Sequence, residues 1–309
     1  MTIAPTLVRL GFFSRSVVLR VARERGYVGD VGLDVADEPV PSSPAQFRTL
    51  LAGGFDLVLT SPDNVVAYRM SEHNPLGVRA DVRMLLGIDR GMGLSIMTTA
   101  RIGTVEDIRG RTVAVDVPQS GFALAMFRVL ARHGLQQGRD YSVVSLGSTP
   151  GRADALIAGE CDVTLLNAGH DVRAELAGCR RLIRITDELS PYIGTVLAAT
   201  GSWLADNTDV AARFAAAWRR ATADVLAPAN RQDVQRLLAE ELGLDGDGPA
   251  LAYRTLCSDR DGLIPDLRID VAGLRTILET RAQGVVAPDL DSSDDGIKSS
   301  GLVDNRLYS

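Results

Sequence analysis

One short pattern occurs twice in this chain and constrains its fold more than any other feature. Residues 50–59 read LLAGGFDLVL and residues 156–165 read LIAGECDVTL, so that Leu50, Ala52, Gly53, Asp56 and Leu59 recur as Leu156, Ala158, Gly159, Asp162 and Leu165. Each copy has the form of a helix end closed by a glycine able to take the left-handed conformation. A two-residue step then leads to an aspartate and a short apolar run, the signature of a buried parallel strand. The continuations diverge: Thr60-Ser61-Pro62-Asp63-Asn64 follows the first copy and Asn167-Ala168-Gly169-His170 the second. Both loops leave the carboxyl end of a strand, where open α/β sheets bind ligands. The repeat therefore predicts two related α/β lobes, with Asp56 and Asp162 in the shared scaffold and ligand chemistry in the loops.

A chain of 309 residues is long for one domain and suits two lobes. With 46% hydrophobic and 23% charged residues it can bury a sizeable core. A net charge of -6 and a pI near 5.2 argue against nucleic acid as a partner. Lys298 is the only lysine, so Schiff-base chemistry on a core lysine is unavailable. Cys161, Cys179 and Cys257 lack metal-type spacing and suggest neither a zinc site nor a disulfide framework. No segment has the length and apolarity to insert in a membrane. The opening residues MTIAPTLVRLGFFSRS lack a secretion signal and run into a first strand. The expected location is cytoplasmic as written, or periplasmic or extracellular where a signal has been removed.

Periodicity and punctuation predict strands at 7–12, 33–36, 57–59, 83–88, 94–98, 112–115, 143–146, 163–166, 181–185 and 192–199. Helices are expected at 17–25, from the opening Pro41-Ser42-Ser43-Pro44 through Leu51, and at 64–70, 122–133, 151–158, 209–226, 231–242, 247–256 and 270–282. In the 209–226 helix Val210, Phe214, Trp218 and Val225 fall at core spacing. The polar stretch from Asp289 onward, residues 289–309, reads as a loose surface tail.

Candidate ligand-binding residues sit at strand ends. In Asp116-Val117-Pro118-Gln119-Ser120-Gly121-Phe122 a strand stops at the start of a helix, whose free N–H groups and positive dipole end favour an anion. The competing reading is that Ser120 only caps that helix. Around Phe12-Phe13-Ser14-Arg15 the guanidinium offers a two-point bond to a carboxylate or sulfonate, with Phe12 or Phe13 stacking on a ring. The bland alternative is a core Phe12 and a solvated Arg15. Thr60, Ser61 and Asn64 would face Asn167 and His170 across the cleft. Asp89 lies close to the expected hinge, and Tyr192 could close one side. His170 is the histidine on a cleft-type loop. It would move protons only with a partner such as Asp116, and a lone loop histidine more often binds than reacts. No nucleotide-binding glycine loop, HExxH or GxSxG occurs, and no cofactor or metal is expected.

The LxAGxxD repeat with its TSPDN loop, the run IGTVEDIRGRTVAVDVPQSG and the ending GLVDNRLYS carry a family resemblance. The chain resembles type II periplasmic solute-binding proteins, in the NMT1/THI5-like branch that handles sulfonates, nitrate-like anions and thiamine pyrimidine precursors. The resemblance implies an α/β, two-lobed fold with a ligand cleft between lobes joined by two crossing strands. It places lobe 1 at 1–98 and 193–309 and lobe 2 at 99–192, with 94–99 and 193–199 as the hinge pair. The implied function is binding of a small organic anion, a carboxylate or sulfonate with an aromatic or heterocyclic part, with an ABC permease as partner if the chain is exported. The alternative is a cytoplasmic enzyme on the same scaffold, a decarboxylase- or dehydratase-type lyase or a hydrolase, with His170 and Asp116 as its catalytic pair.

Overall fold

The computed structural model of the chain describes residues 4–285, 291 and 293–308. Its strands are β1 (Thr6–Phe12), β2 (Leu33–Pro39), β3 (Leu57–Thr60), β4 (Val82–Asp89), β5 (Ser95–Thr98), β6 (Thr112–Val115), β7 (Ser142–Ser145), β8 (Val163–Leu166), β9 (Arg180–Arg184) and β10 (Thr195–Thr200). Its helices are α1 (Val17–Glu24), α2 (Tyr27–Asp30), α3 (Ser43–Leu51), α4 (Pro62–Met70), α5 (Gly121–Arg132), α6 (Thr149–Ala158) and α7 (His170–Leu176), followed by α8 (Ile185–Glu188), α9 (Gly201–Asp206), α10 (Thr208–Leu226), α11 (Arg231–Leu242), α12 (Gly248–Leu256), α13 (Val271–Gly284) and α14 (Asp294–Ser299).

Among the described residues the strands form two five-stranded sheets, ordered β2-β1-β3-β10-β4 and β7-β6-β8-β5-β9. The two orders are equivalent position by position. In each, three parallel strands adjoin a fourth that runs antiparallel to them. The repeated motif occupies the same place in both: it supplies β3 and β8, the central strands, each fed by a helix that ends at a left-handed glycine. Gly53 has φ 74° and Gly159 φ 75°. Asp56 is scaffold, as its position suggests. It accepts from the Arg9 backbone N–H at 2.8 Å and pairs with the Arg9 guanidinium at 2.7 Å, tying the repeat to β1.

The antiparallel fourth strand is where the chain changes lobe. β5 pairs with β8 and β9, so it belongs wholly to the second sheet, whereas β10 pairs with β3 and β4 in the first. The crossing from the first lobe therefore falls at residues 90–94, and β5 is a strand of lobe 2, where a boundary at residue 98 would have left it in lobe 1. That crossing is a tight one, with Gly91, Met92 and Gly93 at φ 115°, 50° and 75°.

Helices cover both faces of each sheet, which is why the strands read as continuous apolar runs. Along β10, Leu197 and Ala199 join the core under α1 and α10, while Val196 and Ala198 join the core under α4 and α13. Val210, Phe214, Trp218 and Val225 of α10 are all buried, as their spacing requires, and each such side chain contributes roughly 1.5–3 kcal/mol. Helix α13 serves both lobes: Leu274 and Leu278 pack in the first core and Ile277 in the second.

The described part of the C-terminal tail is docked, contrary to the loose segment its polarity suggests. Ile297 and Leu302 are fully buried, and Val303 pairs with Met84 on edge strand β4. The Met84 N–H donates to Leu302 O at 2.8 Å and the Asp304 N–H to Met84 O at 2.9 Å. Three apolar residues spaced through a polar stretch suffice to cover an otherwise open sheet edge.

Candidate functional site: an interlobe cleft

The carboxyl ends of β1, β3, β6 and β8 converge on one cavity of about 140 Å³ between the lobes. An apolar cavity near 150 Å³ accommodates a benzene-sized molecule, so this one suits a single small organic ligand. Four helices of eight residues or more begin at its wall: α1 and α4 from the first lobe, α5 and α6 from the second. Their N-termini impose a positive potential on the polar end. The apolar part of the lining comes from Leu238 and Leu242 of α11, Ala252 and Leu256 of α12, and Met92, Phe13 and Phe122.

Of the residues expected at the cleft, Phe13, Ser14, Arg15, Thr60, Ser61, Asn64, Asp89, Asp116, Ser120, Gly121, Phe122 and Asn167 line this cavity. Loop and strand-end positions in both lobes thus meet as the repeat implied. Four expected residues stand elsewhere. Phe12 is buried in the first core, because successive residues of β1 point to opposite faces and Phe13 takes the outward turn. Gln119 is exposed to solvent. Tyr192 is buried in the second core, its hydroxyl without a protein partner among the described residues, and burial pushes its pKa far up. His170 is buried but absent from the lining; burial, reinforced by Arg173, pushes its pKa down to about 4. A neutral imidazole outside the cavity is out of place to move protons within it.

The two serines at the helix starts are not caps. Ser61 precedes α4 and Ser120 precedes α5, yet neither side chain accepts from its helix. Both hydroxyls are buried with no protein partner among the described residues, Ser61 at 7% and Ser120 at 5% exposure. Buried hydroxyls without a partner are costly and mark groups that a ligand would satisfy. Asn64 donates to Thr60 Oγ1 at 3.1 Å, and Asn167 donates to Gly91 O at 3.3 Å, so those amides also brace the walls.

Arg15 is 61% exposed along its side chain and lies 3.7 Å from Glu241 of α11, which also lines the cavity. Glu241 is shared with Arg20, which binds it at 3.0 Å, so Arg15 is a solvent-exposed partner at the rim of the site. Among the described residues that line the cavity, the cation without an ion pair is Arg152, 3% exposed, near the start of α6. It donates to Thr164 Oγ1 at 3.2 Å, Thr149 Oγ1 at 3.2 Å, Leu165 O at 3.0 Å and Gly147 O, all uncharged acceptors. No carboxylate stands within ion-pair distance of it among the described residues, and burial brings its pKa down to about 10. Asp116 acts on it through space without an ion pair, and a buried guanidinium held this way is further stabilised when an anion joins it. Sequence reading missed Arg152, although one signal was available: the start of a helix favours acidic side chains, and an arginine there runs against the dipole.

Asp89, at the end of β4, is 4% exposed and accepts from the Gly91 N–H at 2.8 Å; burial raises its pKa to about 6. Asp116, just after β6, accepts from the Ser43 N–H at the start of α3 at 3.1 Å, a bond that crosses between lobes. Its pKa is also raised by burial. Gly121 packs tightly against the first lobe: a Cβ there would lie 2.5 Å from Asp63 Cβ and 2.5 Å from Ser61 Oγ. The lobes are therefore closed on one another.

The sequence profile of the family described as NMT1/THI5 like matches residues 15–231. No curated protein matches the chain. Among solved structures, a protein from Bordetella bronchiseptica RB50 is 19% identical with a TM-score of 0.77, over 100% of this chain and 99% of its own. The alkanesulfonate-binding protein SsuA from Xanthomonas axonopodis pv. citri, bound to MOPS, is 18% identical with a TM-score of 0.69, over 99% and 97%. The periplasmic nitrate-binding protein NrtA from Synechocystis PCC 6803 is 14% identical with a TM-score of 0.74, over 97% and 86%. At such identities the likeness establishes the fold, the two-lobed α/β architecture of periplasmic binding proteins.

Proposed function

We propose that this chain, which belongs to the NMT1/THI5-like family, binds a small organic anion in its interlobe cleft as the substrate-binding component of an ABC-type importer. The observation that carries this reading is Arg152, a buried cation on the cavity wall whose hydrogen bonds all go to uncharged oxygens. Helix starts from both lobes and the unpartnered hydroxyls of Ser61 and Ser120 add donors for the same charge. The apolar wall of α11 and α12 suits the hydrocarbon or ring part of such an anion. The fold neighbours that bind alkanesulfonate and nitrate support the same ligand class. Closure of the two lobes over the ligand supplies contacts absent from an open form, and those contacts drive the closing. In this reading the chain acts outside the cytoplasmic membrane and delivers its ligand to a permease.

The test is thermal unfolding of the purified protein with carboxylates, sulfonates, nitrate and their uncharged analogues. Anions raise the melting temperature of the wild type, and Arg152→Met abolishes the effect. Equal stabilisation by uncharged analogues, or an undiminished response in Arg152→Met, overturns the reading.

A further inference from the structure

Three buried polar groups on the cavity wall lack a protein partner among the described residues: Ser61 Oγ, Ser120 Oγ and Asp116 Oδ1. They are not equivalent. A serine hydroxyl donates or accepts, and with Arg152 the two serines are complementary to an anion. An ionised carboxylate oxygen only accepts. An anionic group placed against Asp116 would add repulsion to a desolvated charge, so an anion alone satisfies three of these four groups and leaves the fourth worse off.

We infer that the molecule bound in this cleft carries, besides its anionic group, an O–H or N–H donor seated on Asp116 Oδ1: an amino- or hydroxy-substituted acid rather than a simple sulfonate, carboxylate or nitrate. The inference rests on the anion-binding reading and narrows it. Asp116 is well placed to read such a donor. Its other oxygen, Oδ2, is fixed by the Ser43 N–H at 3.1 Å, at the start of α3 in the opposite lobe. One carboxylate oxygen is thereby fixed, while Oδ1 of this cavity-lining residue is left without a protein partner among the described residues. A donor on Oδ1 also braces the carboxylate that makes the interlobe bond, so recognising the donor and holding the lobes together fall to the same residue.

The experiment is calorimetric titration of matched ligand sets: ethanesulfonate with its 2-amino and 2-hydroxy derivatives, and benzoate with its 3-amino and 3-hydroxy derivatives. At least one substituted member binds the wild type roughly tenfold or more tighter than its parent, the effect expected of a hydrogen bond to a charged group. In Asp116→Ala, loss of the interlobe bond weakens parent and derivatives alike, so the readout is the ratio of their affinities, which falls to about one and cancels that advantage. Asp116→Asn, which preserves shape and one acceptor, keeps part of it and serves if the alanine variant does not fold; the wild-type comparison needs no variant. Parents that bind as tightly as every derivative overturn the donor inference and leave anion binding standing. So does an advantage that survives in Asp116→Ala. If no anion of either set binds, anion binding and the donor inference fall together.

Discussion

Gly121→Ala tests whether the cleft works by closing. Gly121 opens α5 at a position where an alanine suits the helix at least as well as glycine, so the substitution leaves the local backbone intact. Its effect is confined to the seam between lobes. The added methyl would lie 2.5 Å from both Asp63 Cβ and Ser61 Oγ and 3.2 Å from Asp63 Cγ, where ordinary contact needs about 3.5–4.0 Å. The lobes must therefore part by about 1 Å at this point. Asp63 cannot yield instead, because its carboxylate is held by Arg281 at 3.3 Å with both side chains only 3% exposed. Overpacking of this kind costs roughly 1–3 kcal/mol, and here it falls on the closed state alone. The closed population, and with it the affinity for whichever anion stabilises the wild type best, should drop about 5- to 150-fold. Small-angle scattering should show a larger radius of gyration for the variant with that anion present, and calorimetry should show the lost affinity. A variant that binds as tightly as the wild type with identical scattering would refute the closed-seam reasoning.

Asp89→Asn addresses pH. Burial raises the Asp89 pKa from 3.8 to about 6, so the folded state holds its proton more tightly than the unfolded chain. The stability this group confers is complete below about pH 4 and is lost as pH rises to about 6, a swing of up to about 3 kcal/mol. Denaturant unfolding across pH 4–8 should show the asparagine variant gaining on the wild type above pH 6 and matching it near pH 4; parallel curves would contradict the assignment. His170→Ala should leave anion affinity within about twofold of wild type, because His170 does not line the cavity. A calorimetric loss of tenfold or more would return His170 to the site.

The fold was legible because its signals were local and repeated. Leu-x-Ala-Gly-x-x-Asp encodes a helix end, a left-handed glycine and a buried strand, and two copies encode two lobes. The crossing point was less legible: β5 has the same apolar content whichever sheet it joins, and only its hydrogen-bond partners place it in the second. The docked tail was hidden by composition, since Ile297 and Leu302 are isolated apolar residues among charged and small ones. In the site, strand-end loops found most of the lining because topology delivers such loops to a cleft. Phe12 and Phe13 could not be told apart without knowing which face of β1 meets the core. Arg152 lay inside a helix rather than on a loop, and its importance depends on its burial without an ion pair among the described residues, a property of the packed structure. Arg15 is the converse, conspicuous in sequence but solvent-exposed and turned toward Glu241 of a helix more than two hundred residues away.

The most direct measurement of anion recognition compares a charged ligand with its uncharged isostere, benzoate against benzamide, titrated into wild type and Arg152→Met. A charge-assisted bond to a buried guanidinium should favour benzoate by roughly tenfold to a hundredfold in the wild type. Removing Arg152 should bring the two ligands to within about threefold of each other, with benzamide little affected. A wild type that does not discriminate between them, or a preference for benzoate that persists in Arg152→Met, would contradict an anion site built on this arginine.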